Sequence, residues 1–244
     1  MEATHLPSKY KVEDGSDRID AILSAGAGNF CDKDAVPSRS ELTFINGFYV
    51  NVTSLFIDMV DSSSLPQKHK RPVVAKIYRA FISECVAIMN SSPLCCEVNI
   101  NGDCVWGIFN TPHTIDIDNV FNASAKLNTL KKILNYKLQK CDYTAVDVGI
   151  GIDYGRALMI KAGYKGSGIN DVVWMGDVVN KASHLAKKAG RNLIDPILIT
   201  SIFYNNLNEK NKALCRGYND GVEQLYKCNI VDCEMYDWFK QNCK

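Results

Sequence analysis

The sequence lacks an excess of charge of either sign. Its 244 residues set 28 Lys and Arg against 27 Asp and Glu, for a formal net charge of +1. That near-balance argues against a protein whose main task is neutralising nucleic-acid phosphate, because such proteins carry a basic excess. No apolar run approaches the ~18–20 residues that a membrane span requires. The opening MEATHLPSKYKVEDGSDRID has no positive-then-apolar leader layout. A cytoplasmic chain with no membrane and no nucleic-acid partner is therefore expected. Internal repeats and low-complexity tracts are missing. So are G-x-G-x-x-G and Walker A, the defining features of the dinucleotide-binding and P-loop readings. Cysteine is plentiful at ten residues. No C-x-x-C pair forms among them, so neither a zinc ribbon nor a thioredoxin-type redox motif is supported. Most are expected to be small buried hydrophobes.

What is present fits a folded globular chain, 46% hydrophobic and 23% charged, long enough for one large domain with extensions. Residues 1–45 read as an N-terminal arm with a short helical candidate at 20–23, and the domain body occupies 46–244. Residues 49–58, YVNVTSLFID, are β-branched and end almost fully apolar, as a buried central strand does. Pro72 opens a helix whose core face is Val74, Ile77, Phe81, Cys85 and Ile88. Two short strands, 97–100 and 104–109, are joined through Asn101-Gly102, a strong hairpin signal.

A helix over 118–138 follows, striped by Leu127, Leu130, Leu134 and Leu138. Residues 146–152 and 157–160 read as a strand pair hinged on Gly155. A Gly-rich loop, 163–171, leads to a strand at 172–174 and a helix over 178–189. Further strands are expected at 197–200 and 226–236. The order predicts an α+β fold, β-α-β-β-α-β with additions, its helices on one face of an antiparallel or mixed sheet.

Asp58 ends an apolar strand, where an ionised carboxylate is costly unless it is paired or holds a cation. Asp103 follows the Asn-Gly turn, and the two carboxylates converge if that hairpin lies beside the first strand. One or two carboxylates plus substrate phosphates are the usual holders of Mg²⁺ or Mn²⁺. Two such ions can activate a hydroxyl and neutralise a pyrophosphate leaving group. Alone, Asp103 would read as an ordinary turn residue. Asp61, Ser62, Ser63 and Ser64 form a turn whose backbone N–H groups suit a triphosphate cradle, although a serine-rich loop is weak as a signal. On the 178–189 helix, Val178, Ala182, Leu185 and Ala189 make the apolar face. Asn180 and His184 share a different face, able to address phosphate or ribose; an exposed pair on a solvated helix would look the same.

FIDMVDSS (56–63), NGDCVWGIF (101–109) and GDVVNKASHL (176–185) together resemble the three signature segments of class III nucleotidyl cyclases, in order and spacing over about residues 48–200. The resemblance implies their ferredoxin-like βαββαβ core. It implies that Asp58 and Asp103 bind two ions, Mn²⁺ or Mg²⁺, with Met59 giving a backbone carbonyl, and that Asn180 orients the ribose. In this family the ribose 3′-OH attacks the α-phosphate and closes a 3′,5′-cyclic monophosphate. The site lies between two subunits, so a homodimer holds two of them.

Three positions depart from the family pattern. The arginine four residues after the asparagine is His184 here, so either His184 or another cation stabilises the phosphate charge; Arg156, Lys161 and Lys165 are candidates. The two purine-selecting positions are Asn99 and Val173, and Val173 offers a base no hydrogen bond. With INDVVWMGDVVN, NINGDCVWGIF and HKRPVVAKIYRAFISECVAIMN, the chain resembles the pyrimidine cyclases of bacterial anti-phage (Pycsar) systems. That implies a UTP substrate, or less favourably CTP, and a cyclic product that gates a separate effector. Phe56 shares a strand face with Asp58 and is placed to pack on the nucleotide. The competing readings are a purine cyclase with an unusual base pocket and a catalytically silent nucleotide-binding module.

Overall fold

The computed structural model describes residues 9–26, 29–165 and 168–244. In chain order the elements are α1 (Val12–Leu23), β1 (Phe30–Asp32), β2 (Gly47–Val60), α2 (Leu65–Lys68), α3 (Arg71–Asn90), β3 (Cys95–Asn101) and β4 (Cys104–Asn110). They continue with α4 (Thr114–Gln139), β5 (Asp147–Gly163), β6 (Asn170–Met175), α5 (Asp177–Lys188), β7 (Ile197–Thr200), α6 (Ser201–Asn205), α7 (Glu209–Lys212), β8 (Arg216–Asn219), β9 (Gln224–Cys228) and α8 (Cys233–Asn242). The chain divides into two compact units, Met1–Asn51 with Arg156–Gly176, and Val52–Gly155 with Asp177–Lys244.

In the smaller unit β1 pairs in parallel with the start of β2, from Phe30 opposite Gly47 to Asp32 opposite Tyr49. β6 pairs antiparallel with the far half of β5, from Leu158 opposite Met175 to Gly163 opposite Asn170. The Arg156 guanidinium binds Asp32 at 2.6 Å and lies over the Tyr49 ring at 3.9 Å. Lys161 sits over Phe44.

The larger unit carries the expected β-α-β-β-α-β sequence as β2, α3, β3, β4, α4 and β5, within the strand order β3-β4-β2-β5-β7-β9-β8. Successive strand residues point to opposite faces. On one face Leu55, Ile57 and Met59 pack with Ile77, Phe81 and Cys85 of α3 and with Phe121, Leu127 and Leu134 of α4. On the other, Phe56 packs against Ala182 and Ala186 of α5. Helices therefore cover both faces, not the single face expected. The reason is already in β2, whose residues of both parities are apolar and need cover on each side.

Gly149 and Gly151 let α5 lie directly on β5. A Cβ at Gly151 would stand 2.1 Å from the Ala182 carbonyl oxygen, and one at Gly149 2.1 Å from that of Ala186. The turn joining β3 to β4 depends on a different property of glycine, since Gly102 adopts φ +66° there, in the left-handed region that glycine enters without steric cost.

Three further expectations are corrected. The strand pair hinged on Gly155 is one continuous strand, β5, in which Gly155 has no positive φ. The tail strand ends at Cys228, and residues 233–242 are helical because Asp232 caps the helix by accepting from the Met235 N–H. Only Cys85 and Cys228 are buried, while Cys31, Cys96, Cys141 and Cys233 are exposed. The arm helix is longer than expected, and the 163–171 loop includes two residues outside those described.

One buried carboxylate is a stability determinant. Asp153 of β5 is 3% exposed and accepts hydrogen bonds from the Thr200 hydroxyl and the Tyr154 N–H. Burial is the largest effect on its carboxyl, which stands at about 6; the hydrogen bonds and Lys181 lower it, and Glu223 raises it. A folded-state value above the unfolded one favours folding at low pH, and that benefit is lost as pH rises from about 4 through 6. Asp153→Asn retains an acceptor for both donors and removes the charge. It is expected to raise stability at pH 8 by about 1–3 kcal/mol. Denaturant melts at pH 8 and pH 4 check this, since the gain must vanish at pH 4; an equal gain at both would show that the charge is not its source.

Candidate active site

The hairpin register assembles the site. Asn99 of β3 and Phe56 of β2 both pair with Trp106 of β4, so the three share one row and one face. One step along, Asn101 pairs with Cys104, and the residue after Ile57 on β2 is Asp58. Asp103, half-buried, is the second residue of the two-residue turn. The β3–β4 hairpin lies beside β2, as convergence of Asp58 and Asp103 required, and Asp103 raises the Asp58 carboxyl pKa electrostatically.

Asp58 has a side chain only 15% exposed, and burial is the main cause that lifts its carboxyl above the usual range. Against this act the hydrogen bond from Arg191 and the charges of Arg191 and Lys187. Burial pushes the neighbouring Cys104 thiol up to about 12, with Asp58 and Asp103 adding to the shift, so the thiol contributes no charge. Met59 is buried, and its carbonyl points to the same Arg191 guanidinium at 3.5 Å. After β2 the chain turns at Asp61, in left-handed conformation with φ 52°, into a short 3₁₀ turn of Ser62, Ser63 and Ser64.

Asn180 and His184 are both exposed, one turn apart on α5, whose Val178, Ala182, Leu185 and Ala186 are buried. Asn99 donates from its amide to Glu97 at 2.8 Å. Val173, on β6 in the smaller unit, is 39% exposed. Phe56 does not present a free ring. It is 6% exposed and stacks on Trp106 at a centroid distance of 5.1 Å, so within this chain it is a packing residue. Of the candidate cations, Arg156 is engaged by Asp32. The cation at Asp58 is one that sequence reasoning passed over: Arg191 bonds its Oδ2 at 2.8 Å. No local pattern signals that contact, which spans 133 residues.

The donor set suits a hard divalent cation. Among the described residues no three His, Cys, Asp or Glu side chains gather as a metal cluster. Two carboxylates and a carbonyl would leave the remaining positions to phosphate oxygens and water, the arrangement usual for Mg²⁺. A half-buried carboxylate repelled by a second one is the electrostatic setting that such a cation relieves.

The α+β sheet carries a carboxylate pair at a strand end and hairpin tip, and α5, which bears Asn180 and His184, packs on that sheet through Ala182 and Ala186. The chain belongs to the adenylate and guanylate cyclase catalytic domain family, whose model matches residues 46–219; it is a class III nucleotidyl cyclase. It is 37% identical over 240 residues to a uridylate cyclase of Treponema porcinum, covering 98% of this chain and 84% of that one. To a uridylate cyclase of Gulbenkiania mobilis it is 39% identical, with 99% and 100% covered. Among solved structures, a class III adenylyl cyclase-like ATP-binding protein from Pseudomonas aeruginosa shares the fold. Its TM-score is 0.70 at 16% identity, over 93% of this chain and 48% of that one. No helix among the described residues is long and apolar enough to cross a membrane.

Proposed function

We propose that the chain is a uridylate cyclase, converting UTP to 3′,5′-cyclic UMP and pyrophosphate, with CTP the less favoured substrate. The observation that carries this reading is near-full-length similarity, at 37% and 39% identity, to two proteins named uridylate cyclase. The departure at Val173 supports it, because an apolar side chain offers a purine no hydrogen bond, and Asn99 stands where purine readers carry a charged residue. In this reading residues 46–244 carry the activity, residues 1–45 are an N-terminal arm, and the enzyme is a cytoplasmic homodimer. The product is a second messenger of anti-phage defence that acts on a separate effector.

Asp58, Asp103 and the Met59 carbonyl would hold two divalent ions, Mn²⁺ or Mg²⁺. When bound, these ions supply Lewis acidity toward the ribose 3′-hydroxyl and charge neutralisation at the triphosphate. Asp58 and Asp103 contribute two fixed negative charges on a short hairpin and a strand end, both rigid elements. The backbone N–H groups of Ser62 and Ser63 would meet the phosphates, that of Ser64 being bonded within the turn to the Asp61 carbonyl. Asn180, supplied by the second subunit, orients the ribose so that the 3′-oxygen lies in line with the α-phosphorus. His184, one turn along the same helix, donates a hydrogen bond to the phosphate charge that develops during closure.

Incubating the pure protein with ATP, GTP, CTP and UTP, each with Mn²⁺, and identifying products by chromatography and mass spectrometry tests the substrate. Dominant cyclic UMP is expected; a dominant cyclic purine sinks the pyrimidine reading, and silence with all four favours a binding module. His184→Ala is expected to lower kcat about 10–100-fold with little change in KM. Unchanged turnover would pass that role to another cation.

A further inference from the structure

Arg191 lies just beyond α5, after Gly190, and is tied down from two directions. One guanidinium nitrogen, Nη1, donates to the carbonyl oxygens of Ala186 and Ala189, at 3.1 and 3.2 Å, at the C-terminal end of the helix. The other, Nη2, donates to Asp58 Oδ2 at 2.8 Å and points to the Met59 carbonyl at 3.5 Å. The side chain is 24% exposed and Asp58 15%, so the pair is screened less than a surface ion pair. The helix carbonyls are a natural seat for a cation. From that seat the guanidinium reaches the two groups of β2 that the functional reading assigns to a divalent ion.

We propose that Arg191 is an internal counter-cation that competes with the divalent ion for Asp58 and the Met59 carbonyl. This rests on the reading of Asp58 as a metal ligand. A carboxylate oxygen directed at a guanidinium must give up that bond before it can ligate a metal. The ion pair therefore subtracts from the affinity for free metal, while a metal–nucleotide complex adds its own phosphate contacts and overcomes the competition. Arg191 is in this sense a positioning residue: it neutralises Asp58 between turnovers and makes metal entry depend on nucleotide.

The test is a Mn²⁺ titration of the purified full-length protein without nucleotide, with free Mn²⁺ read from its electron paramagnetic resonance signal. Arg191→Gln is expected to bind Mn²⁺ about fivefold tighter or more than the unaltered protein. Lys187→Gln removes an equal charge nearby without breaking the contact, and a change below about twofold is expected. Unchanged or weaker binding in Arg191→Gln overturns the proposal, as does equal tightening by Lys187→Gln, which would make the effect one of net charge alone. Adding Asp58→Asn to Arg191→Gln separates the two readings. Return to weak binding places the gained site at Asp58. Retained tight binding overturns the metal assignment itself and the competition with it.

Discussion

Asp58→Asn is expected to reduce cyclisation on the order of 10³-fold or more, the scale lost when charge stabilisation at a reacting centre is removed. The substitution keeps the side chain's size and one oxygen that can accept from Arg191, so the fold should persist. Arg191 loses an ionic partner but retains the Ala186 and Ala189 carbonyls. Thermal melting and far-ultraviolet circular dichroism close to those of the unaltered protein would show that only chemistry was lost. Asp103→Ala should behave the same way, since that residue sits in a two-residue turn and is only half-buried. A substantially active Asp58→Asn protein would remove the carboxylate from the mechanism.

Gly151→Ala tests the other half of the site without touching a polar group. Its Cβ would lie 2.1 Å from the Ala182 oxygen and 2.3 Å from the Ala186 nitrogen. Both are helix backbone, and neither can turn aside as a flexible side chain would. Helix α5 must move outward, and overpacking of this kind costs about 1–3 kcal/mol. Asn180 and His184 ride on that helix, and a misplacement of about 1 Å in a positioning residue can cost about 10²-fold in rate. Turnover should fall on that scale together with a lowered melting temperature. Gly155→Ala is the control, because its Cβ would meet only the Val178 Cβ at an ordinary 3.6 Å. Equal loss in both variants would show that close approach of α5 to β5 is not what matters.

The helices were legible because their burial repeats locally. Ile77, Phe81 and Cys85 on α3, Leu127, Leu130, Leu134 and Leu138 on α4, and Val178, Ala182 and Leu185 on α5 all face the core as their spacing requires. The Asn101-Gly102 hairpin was equally plain, since a positive φ at Gly102 is a demand of the turn itself. The tail was misread because a capping Asp232 outweighs the β-branched and aromatic content around it. Phe56 shares a face with Asp58 by alternation, yet alternation says nothing about what covers that face.

Sequence alone therefore determined the β-α-β-β-α-β order of the core, the stripes that bury α3, α4 and α5, and the candidate carboxylates at a strand end and a hairpin tip. These follow from interactions within a few residues, where spacing and backbone geometry suffice. Only the tertiary structure decided that α5 covers the second face of the sheet through Gly149 and Gly151, that Phe56 is sealed against Trp106, and that Arg191 reaches Asp58. Each of those joins segments distant in the chain, and their meeting depends on strand register and helix packing rather than on any local pattern.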